Sequence, residues 1–214
     1  PASILTDLVV GDDVEVDTTI SPIRIASIQP RRTELKRTRG EGGSRHKKHT
    51  QIIAANIDMA VIVATAAEPT FDPELVDRYI VLCKSSNIEP IICLNKADLT
   101  TERHPALDWY RKHGLQVIET SPKTGLGLNN LQAAIQNKTA VLLGKSGAGK
   151  SSLINALLPN ANVKTQIISE RAQQGQHTTT RSDIHSLDKD SYLIDTPGIR
   201  TLDISHLDHD DIDL

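Results

Sequence analysis

The segment from Gly144 to Ser151, GKSGAGKS, is the sequence feature that most constrains what this chain can fold into. It matches the phosphate-binding pattern G-x-x-x-x-G-K-S/T at every fixed position. An apolar run, TAVLLG, leads into it, and a run of helical character, SSLINALL, follows. A plain glycine-rich turn is the alternative, which the complete pattern and its flanks disfavour. The segment, called the P-loop below, therefore predicts a strand that leads through a phosphate-binding loop into a helix.

Each residue type in the P-loop has a physical task. The glycines let main-chain N–H groups close around phosphate oxygens, and the helix amino terminus adds positive potential. Lys150 is expected to reach the β- and γ-phosphates and to be catalytic, and the Ser151 hydroxyl is expected to ligate Mg²⁺. The residues predicted here to bind nucleotide are Gly144, Lys145, Ser146, Gly147, Ala148, Gly149, Lys150, Ser151 and Ser152.

Two later segments fit the remaining phosphate and metal contacts. Asp195-Thr-Pro-Gly198 follows the apolar run SYLI, where a carboxylate suits Mg²⁺ and the Gly198 N–H suits the γ-phosphate. Between this segment and the P-loop lies GQHTTTRSD, in which one threonine can complete the metal shell. We favour Thr180, with Thr179 as the alternative. The predicted Mg²⁺ ligands are therefore Ser151, Thr180 and Asp195.

The segment Asn95-Lys96-Ala97-Asp98, predicted to bind nucleotide throughout, indicates which base is bound. Guanine offers two donors on its Watson–Crick edge, N1–H and the exocyclic amino group, and the Asp98 carboxylate can accept both. Adenine presents an acceptor at N1, which would repel that carboxylate. Asn95 can bridge to a neighbouring loop, and the alkyl stem of Lys96 can cover the base. The segment follows the apolar run IICL and thus predicts a guanine site at a strand end.

The order of these motifs is unusual. ETSPKTG supplies Ser121 and Lys123 at another predicted strand end, in the place of the Ser-Ala-Lys loop that packs on the base in GTPases. An ordinary GTPase begins with its P-loop and ends with these base-reading segments. GTPase motifs are numbered in their usual order: the P-loop is G1, the threonine segment G2, the Asp-x-x-Gly segment G3, the Asn-Lys-x-Asp segment G4 and the Ser-Ala-Lys loop G5. Here the base-reading segments precede the P-loop and Asp195 comes last, so the order is G4-G5-G1-G2-G3. The cyclic order is unchanged, as a circular permutation leaves it, and all motifs fall at strand ends, where doubly wound sheets bind ligands.

Alternating strand and helix patterns fill the chain from residue 51 onward. Apolar runs such as NIDMAVIVATA and IEPIICLN predict strands buried on both faces, with helical patterns between them. SDIHSL and SYLIDT predict a β-hairpin. We therefore expect an α/β fold, a doubly wound and mostly parallel sheet, in residues 51–214. Residues 1–50 contain shorter strand patterns, LVVGDDVEV and SPIRIASIQP, which predict part of a small β-barrel.

Composition limits the other function classes. The net charge of -3 predicts no general affinity for polyanions, but cations are concentrated between residues 31 and 48. Contact with RNA backbone is one interpretation of that run and a solvated basic loop is the other. The candidate RNA-binding residues are Arg31, Arg32, Lys36, Arg37, Arg39, Arg45, Lys47 and Lys48. Cys83 and Cys93 fit neither a zinc site nor a disulfide framework, and no apolar run could span a bilayer, which favours a cytoplasmic protein without a membrane partner.

The motifs IAANID, NKADL, SPKTG, GKSGAGKSSLIN, GQHTTT and IDTPGIR together resemble the ribosome small subunit-dependent GTPase A family, RsgA, also called YjeQ. The resemblance covers essentially the whole chain. It implies an OB-fold, here partial, then a circularly permuted P-loop GTPase domain and a carboxyl-terminal zinc-binding domain. It also implies a monomer that binds GTP, GDP and Mg²⁺, hydrolyses GTP slowly until the small ribosomal subunit stimulates it, and acts late in maturation of that subunit. The basic segment would then contact rRNA.

Two departures from the family pattern stand out. About 50 residues before the GTPase domain leave little room for the five strands of an OB-fold. No Cys and His ligands for zinc follow Gly198, and His206 and His209 with their neighbouring aspartates fit a solvated acidic tail better than a metal site. We therefore interpret the chain as a fragment, or a divergent member, without zinc.

The residue that positions the attacking water is less evident. Ile199 occupies the place of the glutamine that orients water in Ras-like enzymes, and it cannot do so. His177 lies beside the threonines, imidazole can accept or orient a water proton, and the family resemblance points to the same residue. Contact with solvent or RNA alone is the alternative for His177.

Three functions remain open at this point. The first is a GTP-hydrolysing ribosome assembly factor, and the second is an rRNA-binding module that is switched by GTP and GDP with little turnover of its own. The third is a P-loop ATPase or kinase, against which Asp98 argues.

Overall fold

A computed structural model of the chain describes residues 7–39, 49–158 and 182–195. Within these ranges the strands are β1 (Val14–Asp17), β2 (Arg24–Ile28), β3 (Glu34–Arg39), β4 (His49–Ala55), β5 (Met59–Thr65), β6 (Glu89–Asn95), β7 (Val117–Glu119), β8 (Thr139–Leu143), β9 (Asp183–Ser186) and β10 (Tyr192–Asp195). The α-helices there are α1 (Pro73–Ser85), α2 (Pro105–Lys112), α3 (Leu128–Ala134) and α4 (Lys150–Leu157).

A central sheet has the strand order β7-β6-β5-β8-β10-β9. The first five of these strands run parallel to one another. The last, β9, lies at the edge and pairs antiparallel with β10. The predicted α/β class, the mostly parallel sheet and the hairpin of β9 and β10 are therefore confirmed.

Helices cover both faces of this sheet because its strands are apolar on both sides. Ile62 of β5 belongs to a core that also contains Tyr79 of α1 and Leu107 of α2. Its neighbour Val61 points to the opposite core, with Leu153 of α4. The continuous apolar sequence of β5 is thus explained by burial on two faces. None of the helices in the described ranges has the length and apolar character that crossing a membrane requires.

Before Met59 the described residues contain two small antiparallel sheets, in which β1 pairs with β2 and β3 with β4. The run predicted as a strand before Gly11 contributes only a single parallel bridge, from Val10 to Ala54. The predicted domain boundary between residues 50 and 51 falls inside β4, so pairing of the amino-terminal segment extends to Ala55. The assignment of residues 1–50 to a partial OB-fold remains a prediction.

A polar junction joins this segment to the amino end of the central sheet. Asn56 is buried with a φ of 54°, accepts from the Arg32 main-chain N–H at 2.8 Å and donates to Gly11 O at 2.9 Å. Asp58 accepts from the Thr139 main-chain N–H at 2.8 Å and from the Arg32 guanidinium at 2.7 Å. The junction therefore lies where β5 and β8 begin.

Candidate nucleotide site

The predicted nucleotide-binding segments meet at the carboxyl edge of the central sheet. Asn95 ends β6, the P-loop follows β8, and Asp195 ends β10. Because these strands are parallel members of one sheet, their carboxyl ends lie on the same edge, where doubly wound sheets bind ligands. The structure thus brings together motifs that lie far apart in the chain.

The P-loop backbone requires glycine where the motif has it. Gly144 has a φ of +151°, and a Cβ atom there would lie 2.4 Å from Val63 O. Gly149, with a φ of +91°, precedes the first turn of α4. Lys150 Nζ donates to Gly144 O at 2.8 Å and to Lys145 O at 3.0 Å, so its ammonium lies against the first two residues of the loop. The positive φ angles of Gly144 and Gly149 fit a loop whose main chain, rather than its side chains, contacts the ligand.

Asn95 ties the base-reading segment to the P-loop. Its Nδ2 donates to Ala148 O at 2.8 Å, and its Oδ1 accepts from Thr120 Oγ1 at 3.2 Å. A Cβ atom on Gly149 would lie 2.3 Å from Asn95 Nδ2, so only glycine leaves room for this contact. The asparagine is almost fully buried and has partners at both ends of its amide. The prediction that Asn95 bridges to a neighbouring loop thus has an observed partner.

Asp98 stands in the 3₁₀ turn Ala97–Leu99, directly beyond β6, and is exposed. Among the residues in the described ranges, none pairs with its carboxylate. Lys96 has a φ of 58°, and its ammonium donates to Glu68 O. The Asp98 carboxylate is therefore available to an incoming donor pair, as a guanine reader requires.

The second base-reading loop, around Ser121, lies beside the first. Ser121 is fully buried, and its Oγ accepts from the Thr124 main-chain N–H at 3.2 Å. The Ala97 N–H donates to Thr120 O at 3.1 Å, which holds the two loops together. Lys123 is exposed. Ser121 therefore shapes the turn, and Lys123 is the one of the two predicted residues whose side chain is open to a ligand.

Ser151 and Asp195 are the predicted Mg²⁺ ligands that fall within the described ranges. Burial raises the pKa of Asp195, and the positive charge of Lys150 opposes that shift. Ser151 is half-buried in the first turn of α4. A hydroxyl and a carboxylate are the oxygen donors that Mg²⁺ takes from proteins, alongside water and phosphate. These residues therefore fit the ion.

The candidate RNA-binding residues divide into two groups. Arg31 is mostly buried and holds Asp12 through two hydrogen bonds at 2.6 and 2.9 Å, so the fold gives its guanidinium a structural role. Arg32 and Lys36 each form an ion pair within the chain, yet their side chains remain 60% and 45% exposed. These two stay open to an RNA backbone.

Other predicted site residues lie outside the described residues, and their roles stay predictions. They are His177, Thr179, Thr180, Gly198, Arg45, Lys47 and Lys48. For Arg37 and Arg39 the structure describes only the main chain, in β3.

Two residues of the site were not predicted. Thr120 orients the Asn95 amide, and its only sequence signal was a hydroxyl next to the predicted Ser121. Asp72 accepts from Lys145 Nζ at 2.5 Å. Its position before Pro73 signals the start of a helix, which gives no hint of a second contact with the P-loop.

Comparison with known proteins gives consistent matches. The model of the RsgA GTPase family matches residues 28–205. A small ribosomal subunit biogenesis GTPase RsgA from Actinobacillus succinogenes is 39% identical over 193 residues, covering 88% of this chain and 53% of the relative. The protein of the same name from Haemophilus influenzae is 38% identical over 219 residues, covering 97% of this chain and 61% of the relative. The chain thus spans little more than half the length of these curated relatives.

Two solved structures resemble the fold. YjeQ from Thermotoga maritima has a TM-score of 0.65 and 28% identity, over 92% of this chain and 63% of that one. YloQ, described as a circularly permuted GTPase, has a TM-score of 0.62 and 29% identity, over 94% of this chain and 61% of that one. The permuted fold class predicted from the motif order is therefore confirmed.

Proposed function

Because this chain belongs to the RsgA GTPase family, we propose that it binds and hydrolyses GTP and takes part in biogenesis of the small ribosomal subunit. The observation that carries the proposal is the hydrogen bond from Asn95 Nδ2 to Ala148 O, at 2.8 Å. It joins the segment suited to the base to the loop suited to the phosphates across 53 residues of sequence. A guanine nucleotide is the ligand that contacts the base-reading segment and the phosphate-binding loop at the same time.

Base selection follows from Asp98. Its exposed carboxylate, with which no residue of the described ranges pairs, can accept from both N1–H and the exocyclic amino group of guanine. The same carboxylate faces an acceptor in adenine, which leaves it without a partner. Lys96 lies immediately before it, with the ammonium held at Glu68 O, so the alkyl stem of Lys96 is the part left to cover the base.

Phosphate binding follows from the P-loop main chain and from Lys150. The first turn of α4 directs N–H groups and a positive dipole end toward an anion at the loop. Lys150 moves from the loop carbonyls to phosphate oxygens, which are the stronger acceptors. Ser151 and Asp195 would hold Mg²⁺, with Thr180 or Thr179 as the further ligand. The ion, when bound, neutralises charge on the β- and γ-phosphates.

Water activation is assigned to His177, because Ile199 offers no polar group at the position after the Asp-Thr-Pro-Gly segment. A neutral imidazole orients the attacking water and accepts its proton. Replacing His177 with alanine should leave GTP affinity unchanged and reduce the turnover that ribosomal subunits stimulate. The matched control is His113→Ala, at the residue that directly follows α2. Stimulated turnover equal to that of the control would contradict the assignment.

The partner proposed for the basic segment is rRNA of the small ribosomal subunit. Arg32 and Lys36 are exposed near β3, and Arg45, Lys47 and Lys48 follow in the sequence. Exposed cations bind the phosphate backbone of RNA, and the affinity for RNA then falls as the salt concentration rises. Arg31 is left out of this set because Asp12 occupies its guanidinium.

One experiment tests the function as a whole: hydrolysis of GTP and of ATP, each measured with and without purified small ribosomal subunits. We expect slow GTP turnover that the subunits increase, and no ATP turnover. GTP binding without turnover in either condition would contradict hydrolysis and favour a GTP/GDP-switched rRNA-binding module. ATP turnover would contradict the role of Asp98.

A further inference from the structure

The loop of residues 66–72, between β5 and α1, contacts the base-reading segment. The Ala66 main-chain N–H donates to Asn95 O at 2.9 Å. Glu68 O accepts from the ammonium of Lys96. This connection, called the 66–72 loop, therefore runs beside the part of the site that would hold the base.

The same loop ends in a contact with the P-loop. Asp72 Oδ1 accepts from the Leu75 main-chain N–H at 3.2 Å, which makes Asp72 the amino-terminal cap of α1. Asp72 Oδ2 accepts from Lys145 Nζ at 2.5 Å. The hydrogen bond from Lys145 lowers the pKa of Asp72, with a smaller contribution from the capped N–H. One ionised carboxylate thus holds both a helix end and the second residue of the P-loop.

A second residue of α1 lies beside the P-loop. Tyr79 is buried and lines a small cavity together with Asp72, Lys145 and Ala148. The P-loop therefore lies against α1, a helix that carries none of the nucleotide-binding motifs.

We propose that Asp72 is a positioning residue of the nucleotide site: by holding Lys145, its carboxylate keeps the start of the P-loop in the shape that retains nucleotide. The inference rests on the proposed function of the P-loop. The side chains of Lys145 and Asp72 are 46% and 36% exposed. An ion pair this exposed contributes little free energy, and salt screens the attraction between its charges. Losing it should speed dissociation of nucleotide by about three- to five-fold, without loss of binding.

The first variant is Asp72→Asn. Asparagine caps a helix as well as aspartate does, so α1 keeps its amino terminus while the charge on Lys145 loses its partner. The matched control is Glu74→Gln, which removes the same charge from the first turn of α1 but from a residue that pairs with Arg78. The other variants are Lys145→Met and the double variant Asp72→Asn/Lys145→Met.

The measurement is the dissociation rate of a fluorescent GDP analogue in stopped flow, at low and high salt. We expect Asp72→Asn to accelerate dissociation about three- to five-fold in the wild-type background and to have no effect in the Lys145→Met background. Salt should raise the wild-type rate toward that of Asp72→Asn, and Glu74→Gln should match wild type. Additive effects of the two substitutions, an unchanged rate in Asp72→Asn, or an equal effect of Glu74→Gln would each overturn the proposal.

Amide hydrogen exchange of the nucleotide-free protein separates this inference from the proposed function. In Asp72→Asn, amides of residues 145–148 should exchange faster than in wild type, and those of α1 should be unchanged. If the wild-type protein binds no guanine nucleotide, the proposed function fails, and this exchange result alone decides the role of Asp72. Unchanged exchange of residues 145–148 refutes the positioning role.

Discussion

Replacing Asp98 with asparagine tests base recognition separately from folding. Asp98 is exposed, and none of the described residues pairs with it, so the free energy of unfolding should change by less than about 0.5 kcal/mol. Binding should change far more, because hydrogen bonds to a charged group contribute about 1.5–3 kcal/mol each. The asparagine amide retains an acceptor for guanine N1–H but sets its NH₂ group against the exocyclic amino group. A loss of about 3 kcal/mol, more than a hundredfold in GDP affinity, is expected.

The assay is calorimetric binding of GDP, ADP and xanthosine diphosphate, with urea unfolding of the same samples. Xanthine carries a carbonyl in place of the exocyclic amino group, so the variant should bind xanthosine diphosphate more tightly than GDP. Asp108→Asn is the control, because Asp108 is 77% exposed and pairs only weakly, with Arg111 at 3.1 Å. GDP affinity within threefold of wild type, or a fall in stability above about 1 kcal/mol, would refute the reasoning.

Three further substitutions probe the site and its support. Gly149→Ala should lower the free energy of unfolding by about 2–3 kcal/mol in urea titrations, because its Cβ displaces Asn95 from Ala148 O. Gly114→Ala is the control: Gly114 has a φ of +80° but open space for a Cβ atom, so only the backbone strain of alanine, about 1 kcal/mol, should be lost from the free energy of unfolding. Asp195→Asn should raise the melting temperature of the nucleotide-free protein at pH 7, because burial raises the pKa of Asp195 and so disfavours its ionised form. The gain in melting temperature should shrink toward pH 4, where the Asp195 carboxyl is increasingly protonated. An equal gain at both pH values would contradict this cause. Arg31→Met should destabilise the protein by about 3 kcal/mol, because the buried Asp12 carboxylate loses its cation and keeps only the Val9 main-chain N–H as a partner. Arg32→Met should change stability by less than about 1 kcal/mol in the same urea titrations.

Much of the fold could be predicted because local pattern and burial agree. β5 is apolar from Met59 to Val63 and β6 from Pro90 to Leu94, and in the structure these residues are buried on two faces. The P-loop pattern contains its own strand end, turn and helix start, so it fixes local geometry without reference to the rest of the chain. The common edge of parallel strands then brings Asn95 to Ala148, although the motifs stand in permuted order.

The remaining features depend on packing that sequence patterns do not encode. Arg31 and Arg32 are adjacent in a basic run, yet one is mostly buried against Asp12 and the other is exposed. Asp72 signals a helix cap, but its second contact arises only because the 66–72 loop lies next to Lys145. Strand β4 runs across the predicted boundary at residue 50, because the pairing of Leu35 with Ala54 depends on tertiary contacts that local patterns do not contain.

The polar junction at Asn56 and Asp58 has a mechanical consequence. It lies where β5 begins, and the nucleotide site lies where β5 ends, seven residues later. At about 3.3 Å per residue, the strand separates the two by roughly 20 Å. A ligand at this junction and a nucleotide at the P-loop would therefore lie too far apart to touch, and β5 and β8 are the elements that connect the two places.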